Sequence, residues 1–290
     1  MTILPSAGQD ILTPYPFENI ISPNVSHCTT SWPGIQVLVF VHSAPENLAQ
    51  RMCIRRTWGN SVRNRMLLNY QVLFVFGAGL TASDEKKMTV EADRFNDVIQ
   101  ANFVDHYRNL TYKALTWLKW ATDRCNDSVP LIIKTDDDIF VNLPAYANYL
   151  LSLIQNQQKL QSQTLFCLVY NRSDVIRTPI SKWYVSYQEF ADTAYSRHCP
   201  GLVYALAGGT WRNLFSTAIR TQFFWVDDVF ITGLVANQMK NLTVYDTGHV
   251  YEMRRSRYME GLLEGRSMIV PEPRTITRYT MWRLVQMQMH

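Results

Sequence analysis

An alternation of two hydrophobic periods constrains this chain more than any other feature. Ile35 to Val41 is an apolar, β-branched run interrupted only by Gln36, the composition of a strand buried on both faces. Glu46 to Trp58 follows with helical character, then a second run, Gln71 to Phe76, closed by Gly77-Ala78-Gly79. Thr81 to Phe95 reads as a polar helix and Asp97 to Phe103 as a third strand. The next helix is the clearest. Leu110, Ala114, Trp117, Leu118 and Ala121 form one apolar stripe at helical spacing. Leu131 to Lys134 is the fourth strand. Strands alternating with helices predict an α/β fold with a mainly parallel, Rossmann-like sheet. In such a sheet ligands bind beyond the carboxyl ends of the strands.

Beyond Leu165 the pattern is less regular, with helices expected around Trp211–Ile219 and Val229–Gln238. Residues 1–30, rich in Pro, Ser, Thr and Asn, read as a leader or stalk. The folded unit is expected over 31–250. The stretch 251–290, without clean periodicity, reads as a C-terminal basic segment holding seven arginines against four glutamates. That segment supplies most of the net charge of +4. No Lys/Arg-rich block suggests a nucleic-acid partner.

No apolar stretch is long enough to span a bilayer, and Met1 to Asp10 lack the basic start and apolar core of a signal peptide. No G-x-G-x-x-G follows the first strand and no G-x-x-x-x-G-K-[ST] occurs, which argues against a dinucleotide cofactor and a P-loop. Cys28, Cys53, Cys125, Cys167 and Cys199 are too dispersed for a zinc site and permit at most two internal disulfides. Asn-x-Ser/Thr sequons start at Asn24, Asn109, Asn126, Asn171 and Asn241. Chance would give about two, so the excess leans toward a secretory compartment.

Two acidic clusters carry the chemistry. Asp136-Asp137-Asp138 stands at the tip of the fourth strand, where hard carboxylate oxygens suit Mg²⁺ or Mn²⁺ and, through the cation, a phosphate-bearing ligand. A solvated turn capping the helix after Asn142 is the plainer reading of that triplet alone. Asp227-Asp228 lies in an apolar flank, Trp225-Val226 and Val229-Phe230. Capping needs one Asp; two in that setting suit a carboxylate tuned for base work. Arg55, Arg56 and Trp58, ending the first helix, and Lys134, before the aspartates, are candidates for phosphate binding. His249 is a lone histidine after Asp246-Thr247-Gly248.

In order, these pieces resemble a family. They are Arg51-x3-Arg55-Arg56-Thr57-Trp58-Gly59-Asn60, Tyr107-Arg108-Asn109-Leu110-Thr111 and Lys134-Thr135-Asp136-Asp137-Asp138-Ile139-Phe140-Val141-Asn142. Ser181-Lys182-Trp183-Tyr184, Cys199-Pro200-Gly201 and Asp227-Asp228-Val229-Phe230-Ile231-Thr232-Gly233 follow. From about Gly34 to His249 the chain is similar to the β-1,3-galactosyltransferase and β-1,3-N-acetylglucosaminyltransferase family of inverting Golgi hexosyltransferases.

The resemblance implies a GT-A fold, with a nucleotide half continuous with an acceptor-binding half. It implies transfer of a sugar from a UDP-sugar donor to a glycan acceptor on glycoprotein or glycolipid, with Mn²⁺ (or Mg²⁺) as cofactor. Asp138 is expected to bind the metal, with His249 in the region of a late metal-ligating histidine, and Asp228 to act as general base. Arg55, Arg56, Trp58, Lys134, Asp136, Asp137, Lys182, Trp183 and Asp227 are expected to bind substrate. It further implies a Golgi lumenal location in a type II membrane protein, with the anchor outside this sequence. Three departures stand out: Asp227 replaces the usual Glu, Val203 the second Gly of Cys-Ser-Gly-x-Gly-Tyr, and Ala207 a common Ser. Val203 and Ala207 are expected to shape the sugar pocket. They motivate the alternative of a degenerate member that binds nucleotide-sugar or glycan without turnover. An aspartate-nucleophile phosphohydrolase is a third reading, but no supporting Lys or Thr motif follows.

Overall fold

The computed structural model describes residues 11–24, 28, 34–61, 68–125 and 129–288. The sequons at Asn24 and Asn126 and the boundary at residue 30 fall wholly or partly outside them.

The first part of the chain builds β1 (Asn19–Ile21), β2 (Val37–His42), α1 (Leu48–Arg56), β3 (Tyr70–Ala78), α2 (Ala82–Phe95) and β4 (Val98–Val104). It continues with α3 (Leu110–Arg124), β5 (Leu131–Asp136), β6 (Ile139–Val141), α4 (Leu143–Asn156) and β7 (Thr164–Cys167). Then come β8 (Ser173–Asp174), β9 (Ala194–Tyr195), β10 (Val203–Ala207) and α5 (Thr210–Ala218). A π-helix (Val229–Val235) precedes β11 (Thr243–Asp246), α6 (Tyr258–Leu263), β12 (Ile269–Pro271) and α7 (Thr275–Gln288).

One eight-stranded sheet runs β1-β4-β3-β2-β5-β10-β7-β11. The block β4-β3-β2-β5 is wholly parallel, as the sequence predicts, whereas β10 is antiparallel to both its neighbours. Strand alternation explains why both faces are covered. Leu38, Phe40, Leu73, Val75 and Ile132 point into one core with Trp117, Leu118 and Trp120 of α3 and Trp211 of α5. Val37, Val39, Val41, Phe74, Leu131 and Ile133 point into the other, against Ile54 of α1, Tyr146 of α4 and Trp282 of α7. The apolar runs are therefore continuous because each strand feeds two cores.

Register sets the functional edge. β2 pairs with β5 so that His42 faces Asp136 at the carboxyl ends. β10 runs the other way, Val203 opposite Thr135 and Tyr204 opposite Lys134, so the loop entering β10 arrives at that same edge.

Two boundaries differ from expectation. Residues 11–24 are packed, not stalk-like. β1 pairs with β4, Tyr15 Oη lies 2.7 Å from Thr116 Oγ1, and Phe17 sits edge-on to Phe103 and Tyr112. A Cys28–Cys125 disulfide adds a covalent tie to the end of α3. The segment after residue 250 is no appendage either. β12 pairs with β6, Glu272 N–H donates to Asp138 O at 3.1 Å, and the fully buried Arg278 donates to Asp137 O at 2.5 Å. The stripe of α7 is present in sequence as Arg278, Met281, Trp282 and Val285. Its first member is an arginine, which hides it from a purely apolar count.

The β2 tip is stapled by charge. Buried Arg51 donates to Ser43 Oγ and to Pro45 O, and pairs with both oxygens of Glu91 at 2.8 and 2.7 Å. Glu91 also pairs with Arg55 at 2.7 Å. Removing one partner of a buried pair strands the other's charge. Glu91→Ala is expected to cost about 3–5 kcal/mol in urea denaturation, and Arg51→Met with Glu91→Leu to recover much of that loss.

Candidate active site

At the carboxyl edge of β2 and β5 lies a cavity of about 910 Å³. Asp136, Asp137 and Asp138, from one part of the chain, and Asp227 and Asp228, from another, line it together. The turn after β5 delivers the first set. The entry to the π-helix, where Asp228 Oδ1 accepts from Val229 N–H at 2.8 Å, delivers the second.

Lys134 joins them. Its side chain is 1% exposed, and Nζ donates to Asp136 Oδ1 at 2.7 Å and Gly201 O at 2.6 Å, with Asp227 Oδ2 at 4.0 Å. Burial opposes its charge, but Asp136 and Asp227 outweigh burial and hold its pKa up. Gly201 completes the link, its N–H donating to Asp228 Oδ2 at 2.9 Å. One residue thus accepts from the lysine beside the first acidic cluster through its carbonyl and donates to the second through its N–H. The Cys167–Cys199 disulfide and Thr232 fix that loop, the hydroxyl of Thr232 bridging Cys199 and Asp228 O.

The carboxylates differ in environment. Burial, then the charge of Asp227, pushes Asp228 up from the ordinary carboxylate range, against the Val229 N–H, which lowers it. Desolvation pushes Asp136 up to about 7, opposed by Lys134 and reinforced by Asp138. Its side chain still shows 37% of its surface to the cavity, so water there tempers the push. Asp137 is held inside, its Oδ2 accepting from Ser43 Oγ at 2.6 Å and Asn47 Nδ2 at 3.0 Å, which gives it a role in shaping the turn. Asp138 is exposed, and among the described residues no ion pair is made to its carboxylate.

Part of the wall is aromatic. Lys182 Nζ sits 4.5 Å over the Trp183 ring and 5.3 Å from the Tyr107 ring, and Arg108 lies 4.5 Å over Trp225. Trp183 is half exposed into the opening. His42, missed in the sequence, lies buried on the cavity wall 3.6 Å from Asp227 Oδ2, too long for a hydrogen bond. Burial, helped by Lys134 and Lys113, keeps its pKa far below the usual value and its ring neutral. Lys113, also missed, bridges Ser43 O and Asp105. His42 could have been found by applying to the first strand the rule of strand tips used for Asp136. Lys113 could not, because it lies inside the stripe of α3.

Four expected binding residues stand elsewhere. Arg55 donates through Nε and Nη2 to both oxygens of Asp97, and its guanidinium stacks 4.5 Å over Phe74 and 4.1 Å over Phe95. Trp58 is fully buried, its carbonyl accepting from Tyr70 Oη at the start of β3. Arg56 is exposed in the last turn of α1. The reason is topological. A crossover helix returns to the amino ends of the strands, so residues at its end sit across the sheet from the ligand edge. His249 lines a second, smaller cavity of about 370 Å³, with Nε2 3.2 Å from Tyr149 Oη, away from Asp138. Val203 and Ala207 also depart from expectation. Both side chains are buried in the core with Ala205, because alternation along β10 turns them from the site.

Lys134 is too enclosed to bind phosphate and instead neutralises its neighbours. Lys134→Met is expected to cost about 3–5 kcal/mol at pH 7 by chemical denaturation. The gap should widen as pH rises above about 7, where Asp136 gives up its proton and needs a counter-charge.

The sequence profile of the galactosyltransferase family matches residues 49–245. Human lactosylceramide 1,3-N-acetyl-beta-D-glucosaminyltransferase is 34% identical over 212 residues, covering 71% of this chain and 54% of its own. The Xenopus tropicalis protein of that name is 33% identical over 226 residues, covering 75% and 57%. Human beta-1,3-galactosyltransferase 5 is 30% identical over 197 residues, covering 67% and 61%. The chain spans a little over half the length of these relatives. With a parallel nucleotide-type block continuous with an antiparallel half, and a profile that covers both acidic clusters, this GT-A-like α/β chain belongs to the galactosyltransferase family.

Proposed function

We propose that this chain transfers a hexose, galactose or an N-acetylhexosamine, from a UDP-sugar to a hydroxyl of a glycan on protein or lipid. The transfer inverts the anomeric centre and forms a β-1,3 linkage. One observation carries the reading: carboxylates from two remote parts of the chain, Asp136–Asp138 and Asp227–Asp228, line one cavity large enough for a nucleotide-sugar. Inversion needs both: a base on one face of the sugar and neutralisation of a departing diphosphate on the other.

Asp138, with Asp136 beside it, would hold Mn²⁺ or Mg²⁺. Among the described residues no cluster of three or more His, Cys, Asp or Glu donors is assembled for a metal. That fits a cation bound by one or two carboxylates and completed by substrate phosphate and water, and the exposed carboxylate of Asp138 is such a ligand. When bound, the cation offsets the negative charge on the leaving UDP. Asp228 takes the proton of the acceptor hydroxyl as that oxygen bonds to C1. The C1–O bond to the diphosphate breaks on the opposite face, its electron pair leaving with UDP. Two backbone N–H groups, of Gly201 and Val229, aim the Asp228 carboxylate, and Trp183 with Lys182 offers a ring and a charge to the bound sugar. The lactosylceramide in the name of the first relative supports a glycolipid among the acceptors. Two disulfides, Cys28–Cys125 and Cys167–Cys199, support an oxidising secretory compartment, within which we place the chain in the Golgi lumen.

UDP release from a panel of UDP-sugars with Mn²⁺, against galactose- and N-acetylhexosamine-ended acceptors, tests the proposal. Asp228→Asn is expected to slow transfer about 10²–10⁴-fold while leaving UDP bound. Asp138→Asn should lose metal-dependent UDP binding, and His249→Ala should keep it. Transfer without Asp228, or with chelator present, would overturn the assignment. The base must be ionised to act. Because Asp228 is held above the ordinary carboxylate range, kcat/KM should fall on acidification at a pH above that range, a limb absent from Asp228→Asn.

A further inference from the structure

The cavity wall near Asp228 carries a polar pair with no part in taking the proton or holding a metal. The pair is His198 with Ser173, and both line the cavity. His198 Nδ1 lies 2.7 Å from Ser196 O. A carbonyl only accepts, so Nδ1 carries the hydrogen and Nε2 of the neutral ring presents a lone pair. Ser173 Oγ faces that lone pair at 3.3 Å, longer than the usual range for a hydroxyl bond.

The loop does not depend on that side-chain bond. Main-chain bonds pair His198 with Tyr170 in both directions, at 3.0 and 2.9 Å, and the next residue, Cys199, is bridged to Cys167. A Cβ on Gly233 would lie 3.2 Å from His198 Cβ, so the π-helix packs directly against it. The rings of Tyr170 and Tyr195 stand edge-on to the imidazole, each with its centroid 6.0 Å away. The ring is thus fixed in one pose by contacts other than Ser173.

The same framework ties it to the base. The Thr232 hydroxyl bonds Cys199, the neighbour of His198, and also Asp228 O, while Gly201 of the same loop donates to Asp228 Oδ2. Burial and Asp227 raise the Asp228 carboxyl, and the charge of His198 is among the influences that lower it.

The chemistry of the pair selects its ligand. Nε2 accepts and the Ser173 hydroxyl donates, which matches a group that does both, another hydroxyl. The diphosphate of a nucleotide-sugar offers Nε2 no hydrogen, so the pair faces a sugar. Transfer to a 3-hydroxyl leaves the 2- and 4-positions as neighbours. An N-acetylhexosamine carries its amide at position 2, so the 4-hydroxyl is the neighbour that galactose and N-acetylhexosamine acceptors share.

We infer that His198 and Ser173 bind the 4-hydroxyl of the terminal acceptor sugar while Asp228 faces its 3-hydroxyl, so that a pyranose with both positions free is the substrate class. The inference rests on the transferase reading for the role of Asp228 and for the position attacked.

Ligand-observed NMR with UDP and Mg²⁺ present tests it, using benzyl β-galactoside, benzyl β-N-acetylglucosaminide and the 4-deoxy analogue of each. The parent should bind the 4-deoxy form of its preferred acceptor about three- to tenfold more weakly, the loss of one neutral hydrogen bond. His198→Asn keeps a donor for Ser196 O but loses the Nε2 lone pair. It should bind the natural acceptor as weakly as the parent binds the analogue, with no preference between them. His198→Gln, which returns an amide oxygen to the reach of Nε2, should regain part of the preference. Ser173→Ala should lose it. That change also removes the sequon at Asn171, so Asn171→Gln, which removes the sequon and keeps the hydroxyl, should match the parent. UDP affinity should stay at the parental value in every variant. A His198 that only supports the fold would leave the preference for the 4-hydroxyl intact in His198→Asn, or weaken UDP and acceptor together, and either result overturns the inference. So does a parent that binds both forms alike or binds neither. A parent that transfers sugar equally to both forms keeps the transferase reading and loses this one. A parent that prefers the 4-hydroxyl in binding, yet transfers to no acceptor, defeats the transferase reading and leaves the subsite standing.

Discussion

A single buried ammonium holds the two halves of the site together. Lys134 stands on β5, where the parallel strands meet antiparallel β10, and it answers the charge of Asp136 and Asp227 while anchoring Gly201. Without it, two carboxylates would share one wall uncompensated, at a cost of about several kcal/mol. With it, the loop entering β10 is drawn to the tip of β5, and the N–H of Gly201 is free to aim Asp228. The two acidic clusters are thereby spaced by the fold, independently of any bound ligand.

Around that contact the fold is buttressed on every side. The Cys167–Cys199 bridge and Thr232 tie the Gly201 loop to β7 and the π-helix. Arg51 and Glu91 staple the tip of β2, and Ser43 from that tip donates to Asp137. From the far end of the chain, Arg278 and Glu272 bond the main chain of Asp137 and Asp138. The tail thus limits the movement of the aspartate turn, the geometric precision that positioning chemistry demands. The neutral His42 contributes a wall without charge, because burial, helped by Lys134 and Lys113, disfavours a third cation there.

The division between cavity and surface is equally physical. The aromatic wall of Tyr107, Trp183 and Trp225 carries its cations over ring faces, a pairing stable at a wet boundary.

By itself the sequence determined what depends on local order. Strand and helix periods were legible from Ile35 to Lys134, as were both acidic clusters, because alternation and strand tips are properties of neighbours along the chain. Tertiary structure decided what depends on direction and on distant partners. Arg55, Arg56 and Trp58 look like a ligand motif, yet a crossover helix carries them to the opposite edge, where Asp97 and Phe95 satisfy Arg55. His249 lines a different cavity from the acids. The tail and residues 11–24 lack a clean apolar period because they complete the domain with Arg278, Tyr15 and a disulfide at Cys28. Those contacts are non-local, and no spacing along a chain encodes which end of a sheet a side chain will reach.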